Sequence, residues 1–271
     1  MVALKYRPKD FVEDACFIFF TIGSLDIVHH LDYNSNMHTD DLALLRLMQL
    51  ADSALPVGAA AHSFGLETLV AEEYLEVTQL GPFLRDYLEE AGVVEGAFCR
   101  LGYRLASHTD RALFTAEWLA LNEQLSAIKT ARESRAASAA LGRRFLQLLL
   151  SLEDAPLIQI AMQSARSSGK DTHYSIAFGL AGGIVKIDET AMTLAYLQQS
   201  LIGLVSACQR LLPLGQSQAS QLIWQLKPTL LTVADRSKEV AANSDVMSLC
   251  TPLVEVGSMR HPYLATRLFI S

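Results

Sequence analysis

From Leu42 onward, apolar residues recur every three to four positions, the spacing of helices buried along one face. Leu42, Leu45 and Met48, flanked by Leu44, Leu47 and Leu50, form a wide stripe, with Asp40 or Asp41 placed as N-cap. Pro56 and Gly58 stop that helix, and a short second one is expected over 63–73 with Ser63 as its cap. Thr78 opens a long helix with Pro82 in its first turn. Its core positions are Leu80, Leu84, Leu88, Ala91, Val94, Phe98, Leu101 and Leu105. Gly92, Gly96 and Gly102 lie inside it. Each costs about 1 kcal/mol against alanine, so they mark a close helix approach or are simply tolerated.

Further helices are predicted at 110–127, 128–151, 154–166, 172–186, 189–212, 216–227 and 229–242, broken at 167–169, 187–188, 213–215 and Pro228. No stretch alternates with the period of a sheet, and no fixed-period repeat or low-complexity linker divides the chain. The expected fold is all-α: one bundle of about nine to ten helices over 42–242, then a non-helical tail over 243–271.

Residues 1–41 read as an extension outside that bundle. Lys5, Arg7 and Lys9 precede an apolar run at 15–23, but Asp10, Glu13 and Asp14 stand where a signal peptide is positive. Nine residues are also too few to cross a bilayer. The reading is a cytoplasmic chain with no membrane role.

Bulk properties narrow the function. The 271 residues are 51% hydrophobic and 19% charged, and the mean hydropathy is +0.23. Such a balance implies apolar surface covered by a subunit or partner, or an Ala/Leu-rich core. A net charge of −7 argues against nucleic-acid binding. The basic run 129–144 is interrupted by Glu133 and reads as a solvated face. Four scattered cysteines suggest neither disulfides nor zinc. His29, His30 and His38 lack further ligands at metal spacing, so no metal or cofactor is expected.

Candidate chemistry is sparse. No phosphate loop or dinucleotide fingerprint occurs. The glycine-rich segment 178–183 continues a helix-period stretch, which favours close helix packing. Asp52, Ser53, His62, Ser63 and Glu67 include the types needed for nucleophile, base and orienter, so an all-α hydrolase using Asp52, His62 and Ser63 is the alternative reading. Their grouping is local, however, whereas triads converge from distant segments. Asn122, Glu123, Lys129, Arg132, Glu133, Arg135 and Arg143 form a second polar group, with Lys129 and Glu133 spaced to pair. It is either a charged exterior or a surface for an acidic or nucleotide-bound partner.

The string QLADSALPVGAAAHSFGLE at 49–67 resembles the N-terminal hallmark of the urease accessory protein UreF family. Four more strings follow in the family's order: NEQLSAIKTARESRAASAALGRR at 122–144, HYSIAFGLAGG at 173–183, RLLPLGQ at 210–216 and HPYLATRLFIS at 261–271. The resemblance covers 42–271. It implies an all-α homodimer without catalytic activity that binds UreD (also called UreH) and the GTPase UreG. The complex acts on apo-urease during nickel insertion, and a regulatory effect on UreG GTP hydrolysis is part of the same expectation.

The residues it singles out are Gln49, Asp52, Ser53, Pro56, Gly58, His62, Ser63, Gly65, Glu67, Glu133, Arg135, Gly215 and Gln216. In the tail they are Arg260, His261, Leu264, Arg267, Leu268 and Phe269, expected to contact UreD. Residues 258–271 are expected to be loosely held until that partner binds. Glu133 and Arg135 are expected either to face UreG or to form a buried pair. Ala59 stands where the family usually has a second glycine, which predicts a tightened or rerouted turn.

Overall fold

The computed structural model describes residues 35–243 and 252–271. Helices α1 (Ser35–Leu50), α2 (Leu66–Ala71), α3 (Leu80–Tyr87) and α4 (Val93–Leu105) come first. Then follow α5 (Arg111–Ile128), α6 (Arg132–Leu152), α7 (Pro156–Ser168), α8 (Tyr174–Ile184) and α9 (Glu189–Leu211). The chain closes with α10 (Gln216–Gln225), α11 (Lys227–Asn243) and α12 (Pro252–Arg260). No strand occurs among the described residues. Lys5, Arg7, Lys9, the run 15–23, His29 and His30 lie outside them.

Local signals set several of these bounds. The Asp110 carboxylate accepts from Ala112 N at 2.8 Å to start α5, and Asp188 does the same for Ala191 N at 2.8 Å in α9. Pro156 occupies the first turn of α7, and Gly169, at φ 64°, ends it. The long helix expected from 78 is a 3-10 turn (Val77–Gln79), α3, a π turn (Leu88–Gly92) and α4.

The interior is organised around α8, whose residues 174–182 are all buried. Phe178 meets Phe145 of α6 at 5.3 Å and Tyr196 of α9 at 5.6 Å between ring centroids. On its other side α8 touches the backbone of α4: a Cβ on Gly179 would lie 1.8 Å from the Cys99 carbonyl oxygen. Gly102 answers from α4, where a Cβ would lie 2.3 Å from the Ile176 carbonyl oxygen. Gly96 of α4 approaches α11 less tightly, a Cβ there lying 3.0 Å from the Ser237 side chain. The helix glycines therefore mark close approaches, as does the segment 178–183. Arg100 of α4, fully buried, ties α11 and α9 together through Ser237 (3.1 Å), Ala234 O (3.1 Å) and Glu189 (3.0 Å).

Four expectations need correction. Helix α1 begins at Ser35, so Asp40 and Asp41 lie inside it, and Leu42, Leu44, Leu45 and Met48 are exposed. Helix α2 starts at Leu66 behind Gly65, because the Ser63 hydroxyl is used elsewhere. Lys129 ends α5 and pairs with Glu95 of α4, so it does not share a helix face with Glu133. The tail is neither non-helical nor loose: α12 and a 3-10 turn (His261–Tyr263) pack into the unit formed by Asn36–Ser271.

Candidate partner-binding site at the loop and tail

The turn between α1 and α2 needs two left-handed glycines. Gly58 has φ 82° and Gly65 has φ 88°, a region glycine enters without steric cost. Gly65 is doubly constrained, since a Cβ there would lie 2.6 Å from Val254 O of α12. Ala59 begins a 3-10 turn (Ala59–Ala61) and has no positive φ. Alanine at 59 is thus compatible with the turn.

This turn holds the end of the chain. Ser63 N and Ser63 Oγ both donate to the Ser271 carbonyl, at 2.5 and 3.0 Å, and Ile270 N donates to Ala61 O at 2.9 Å. His62 Nδ1 lies 2.7 Å from Ser271 Oγ. Glu67 accepts from Leu268 N at 2.5 Å and from Phe269 N at 3.1 Å. Its second oxygen also meets His261 Nε2 at 2.8 Å, while His261 Nδ1 meets Glu133 at 2.7 Å. His261 is fully buried, so its two nitrogens bridge α2 and α6 through carboxylates. Arg267 approaches Glu133 at 3.8 Å, and Arg260 pairs with Glu72 at 2.8 Å. Glu255 of α12 accepts from Thr130 at 2.8 Å and from Ala131 N, at the start of α6.

These contacts set the site's electrostatics. Burial alone would raise the Glu67 pKa, but the Leu268 amide, the His261 side chain and the Phe269 amide together hold it below the usual carboxylate range. Burial, then the nearby Arg144, lowers the pKa of His62.

The polar network also places the predicted site residues. Glu67, Glu133, His261, Arg267, Leu268 and Phe269 converge, with His62, Ser63 and Gly65 beside them. Arg135 turns away and donates to Lys129 O at 2.9 Å, so it does not pair with Glu133. Gln49, Ser53 and Pro56 are exposed, and Leu264 is half-buried. Gly215 starts α10, and Gln216 accepts from Gln209 at 2.7 Å. Asp52 accepts from its neighbour Ala54 N at 2.8 Å. Asp52, His62 and Ser63 therefore form no triad: none bonds to another of the three, Asp52 holding Ala54 N while His62 and Ser63 both hold Ser271.

Sequence reasoning missed Arg144 and Arg210, which sit within the quoted strings. Arg144 Nη1 donates to Val57 O at 3.3 Å. Arg210 donates to Ala60 O and lies 4.0 Å over the Phe269 ring. A cavity of about 170 Å³ adjoins the turn, lined among others by Asp52, Arg210, Glu95, Lys129 and Tyr196. Burial would raise the Glu95 pKa, but its ion pair with Lys129 outweighs that and lowers it.

A family profile described as UreF matches residues 76–227. The chain is 34% identical to "Urease accessory protein UreF" of Nostoc sp., covering 85% of this chain and 97% of that protein. For the protein of the same name from Lachnoclostridium phytofermentans the identity is 31%, covering 85% and 100%. The chain belongs to the UreF family.

The strings at 122–144 and 173–183 interlock at the centre of this UreF-family fold. His173 N donates to Asn122 Oδ1 at 2.7 Å, and its ring nitrogens meet Ser126 at 2.8 Å and Ser138 at 3.1 Å. Burial, then Lys129, pushes the His173 pKa down from 6.5 to about 3. Between those values the unfolded chain binds a proton that the folded one refuses, so stability falls as pH drops below 6.5. The melting temperature is expected to decline over that window, and His173→Gln should flatten the decline in calorimetry.

Proposed function

We propose that the chain is a non-catalytic adaptor of urease maturation in the cytoplasm. It joins UreD and the GTPase UreG, presents them to apo-urease for nickel insertion and tunes UreG GTP hydrolysis. The observation that carries this reading is the self-bound tail. A buried polar lattice around Glu67 and His261 holds the tail, yet Tyr263, Leu268 and Ile270 remain 87%, 59% and 67% exposed. Apolar side chains fixed outward on a rigid base suit protein recognition, because little ordering entropy is lost on binding. No competing catalytic geometry is formed by Asp52, His62 and Ser63.

Helix α9 favours a homodimer in this reading. It has an 18-residue-scale apolar stretch of mean hydropathy 1.3, long enough to cross a membrane, yet only 50% of that stretch is buried in the fold. A Cβ on its Gly203 would meet nothing within 4 Å, so the open face accepts a second helix.

Purified chain mixed with UreD and UreG is expected to elute as one complex and to show no hydrolytic turnover of its own. Hydrolysis abolished by Ser63→Ala, with no complex formed, would establish the enzyme reading instead.

A further inference from the structure

Arg144 of α6 and Arg210 of α9 reach the same turn from two helices, ending on Val57 O and Ala60 O. Both side chains belong to exposed residues, and neither has a carboxylate within 4.0 Å among the described residues. The other arginines of the loop and tail are committed: Arg260 to Glu72 and Arg267 to Glu133. The chain as a whole carries −7, so two uncompensated guanidiniums in one turn are a local reversal of its charge.

Their geometry is fixed. A guanidinium has five N–H donors, and a main-chain carbonyl occupies one edge of each, leaving the others free. Arg210 is held further by the Phe269 ring at 4.0 Å. Leu268 and Ile270, the neighbours of Phe269, are exposed beside it. A flat, pre-oriented guanidinium takes a carboxylate in a bidentate mode at smaller entropic cost than a free side chain.

We propose that this turn is the docking point for an acidic segment of a partner protein, with carboxylates on Arg144 and Arg210 and an apolar side chain against Leu268 and Ile270. The inference rests on the adaptor reading and names the chemistry of the partner at that site. Charge complementarity selects this occupant: two guanidiniums with no ion-pair partner among the described residues call for carboxylates from a partner.

The test measures binding of the full chain to purified UreD and to purified UreG by calorimetry, at about 0.05 M and 0.5 M salt, where screening differs several-fold in range. Wild type is expected to bind at least one of them with a strong salt dependence. Arg144→Gln should weaken binding by about threefold at low salt; it also removes the Val57 O bond, so its melting temperature is measured beside the binding. Arg144→Gln with Arg210→Gln should weaken it by about tenfold or more and remove most of the salt dependence, and Arg210→Lys should restore part of it. Amide exchange of 264–271 separates lost charge from a loosened tail: Arg144→Gln must leave that exchange unchanged. Binding that is salt-independent and equal in all variants overturns the acidic-segment inference and leaves the adaptor reading intact. A changed monomer–dimer balance with unchanged partner binding also overturns it, by making a second copy the occupant. Failure of wild type to bind either protein removes the adaptor reading, and this inference with it.

Discussion

Gly179→Ala is expected to destabilise the protein by about 3 kcal/mol or more, lowering its melting temperature by roughly 6–12 °C for a chain of this size. The added Cβ would lie 1.8 Å from Cys99 O, 2.7 Å from Cys99 C and 2.9 Å from Tyr103 N. All three are backbone atoms of α4, so no rotamer change relieves the clash. Helix α4 cannot retreat freely either, because Gly96 already lies against Ser237 of α11 and Arg100 anchors α4 to α11 and α9. Gly203→Ala is the matched control within one chain, measured at concentrations where the protein is monomeric: nothing of the chain lies within 4 Å, and alanine's better helix propensity should add about 1 kcal/mol. A melting temperature for Gly179→Ala within a degree of wild type would contradict the α4–α8 contact.

Glu67→Ala should free the tail without unfolding the body. One carboxylate accepts from the amides of Leu268 and Phe269 and meets one nitrogen of His261, the Phe269 and His261 contacts being buried and the Leu268 one part-buried. Removing it strips these groups of their shared partner, and each buried group left unmet costs about 1–3 kcal/mol. The other anchors of 264–271 are the Ser63, Ala61 and His62 bonds to Ser271 and Ile270, the Arg267–Glu133 pair and the Phe269 ring under Arg210, and none of them supplies an acceptor to the Leu268 and Phe269 amides. The expected result is rapid amide exchange over 264–271 with protection of α8 unchanged. Acid should act in the same direction. The Glu67 pKa is depressed in the fold, so its contribution is present above about pH 4.5 and is lost as pH falls through the lower folded value. Continued protection of Leu268 and Phe269 amides in Glu67→Ala would show that the tail is held by other means.

The helical body was readable because its signals are local. Asp110 and Asp188 cap, Pro156 starts a helix, and the apolar period survives from Leu80 to Leu105 through the π turn. The helix glycines were recognisable as costly, but only the fold supplies their partners on α8 and α11. The tail was misread for a physical reason. Helix α12 carries little amphipathic pattern in PLVEVGSMR, and its position depends on Gly257 meeting the Gly65 backbone, where a Cβ would lie 2.8 Å from the carbonyl oxygen. The polar residues of the loop look alike from the sequence whether they cap, catalyse or latch. His62, Ser63 and Glu67 find their partners some two hundred positions away, at 271, 268 and 269, and no local pattern encodes that pairing.

In the proposed adaptor role, the latched tail is the platform on which partner proteins assemble. Its most direct test is size-exclusion chromatography with light scattering on the full chain mixed with UreD and UreG, comparing wild type with Glu67→Ala after circular dichroism has shown equal helicity. One complex containing all three proteins is expected for wild type, and its loss is expected in the variant. A variant with a released tail that assembles as fully as wild type would contradict that role.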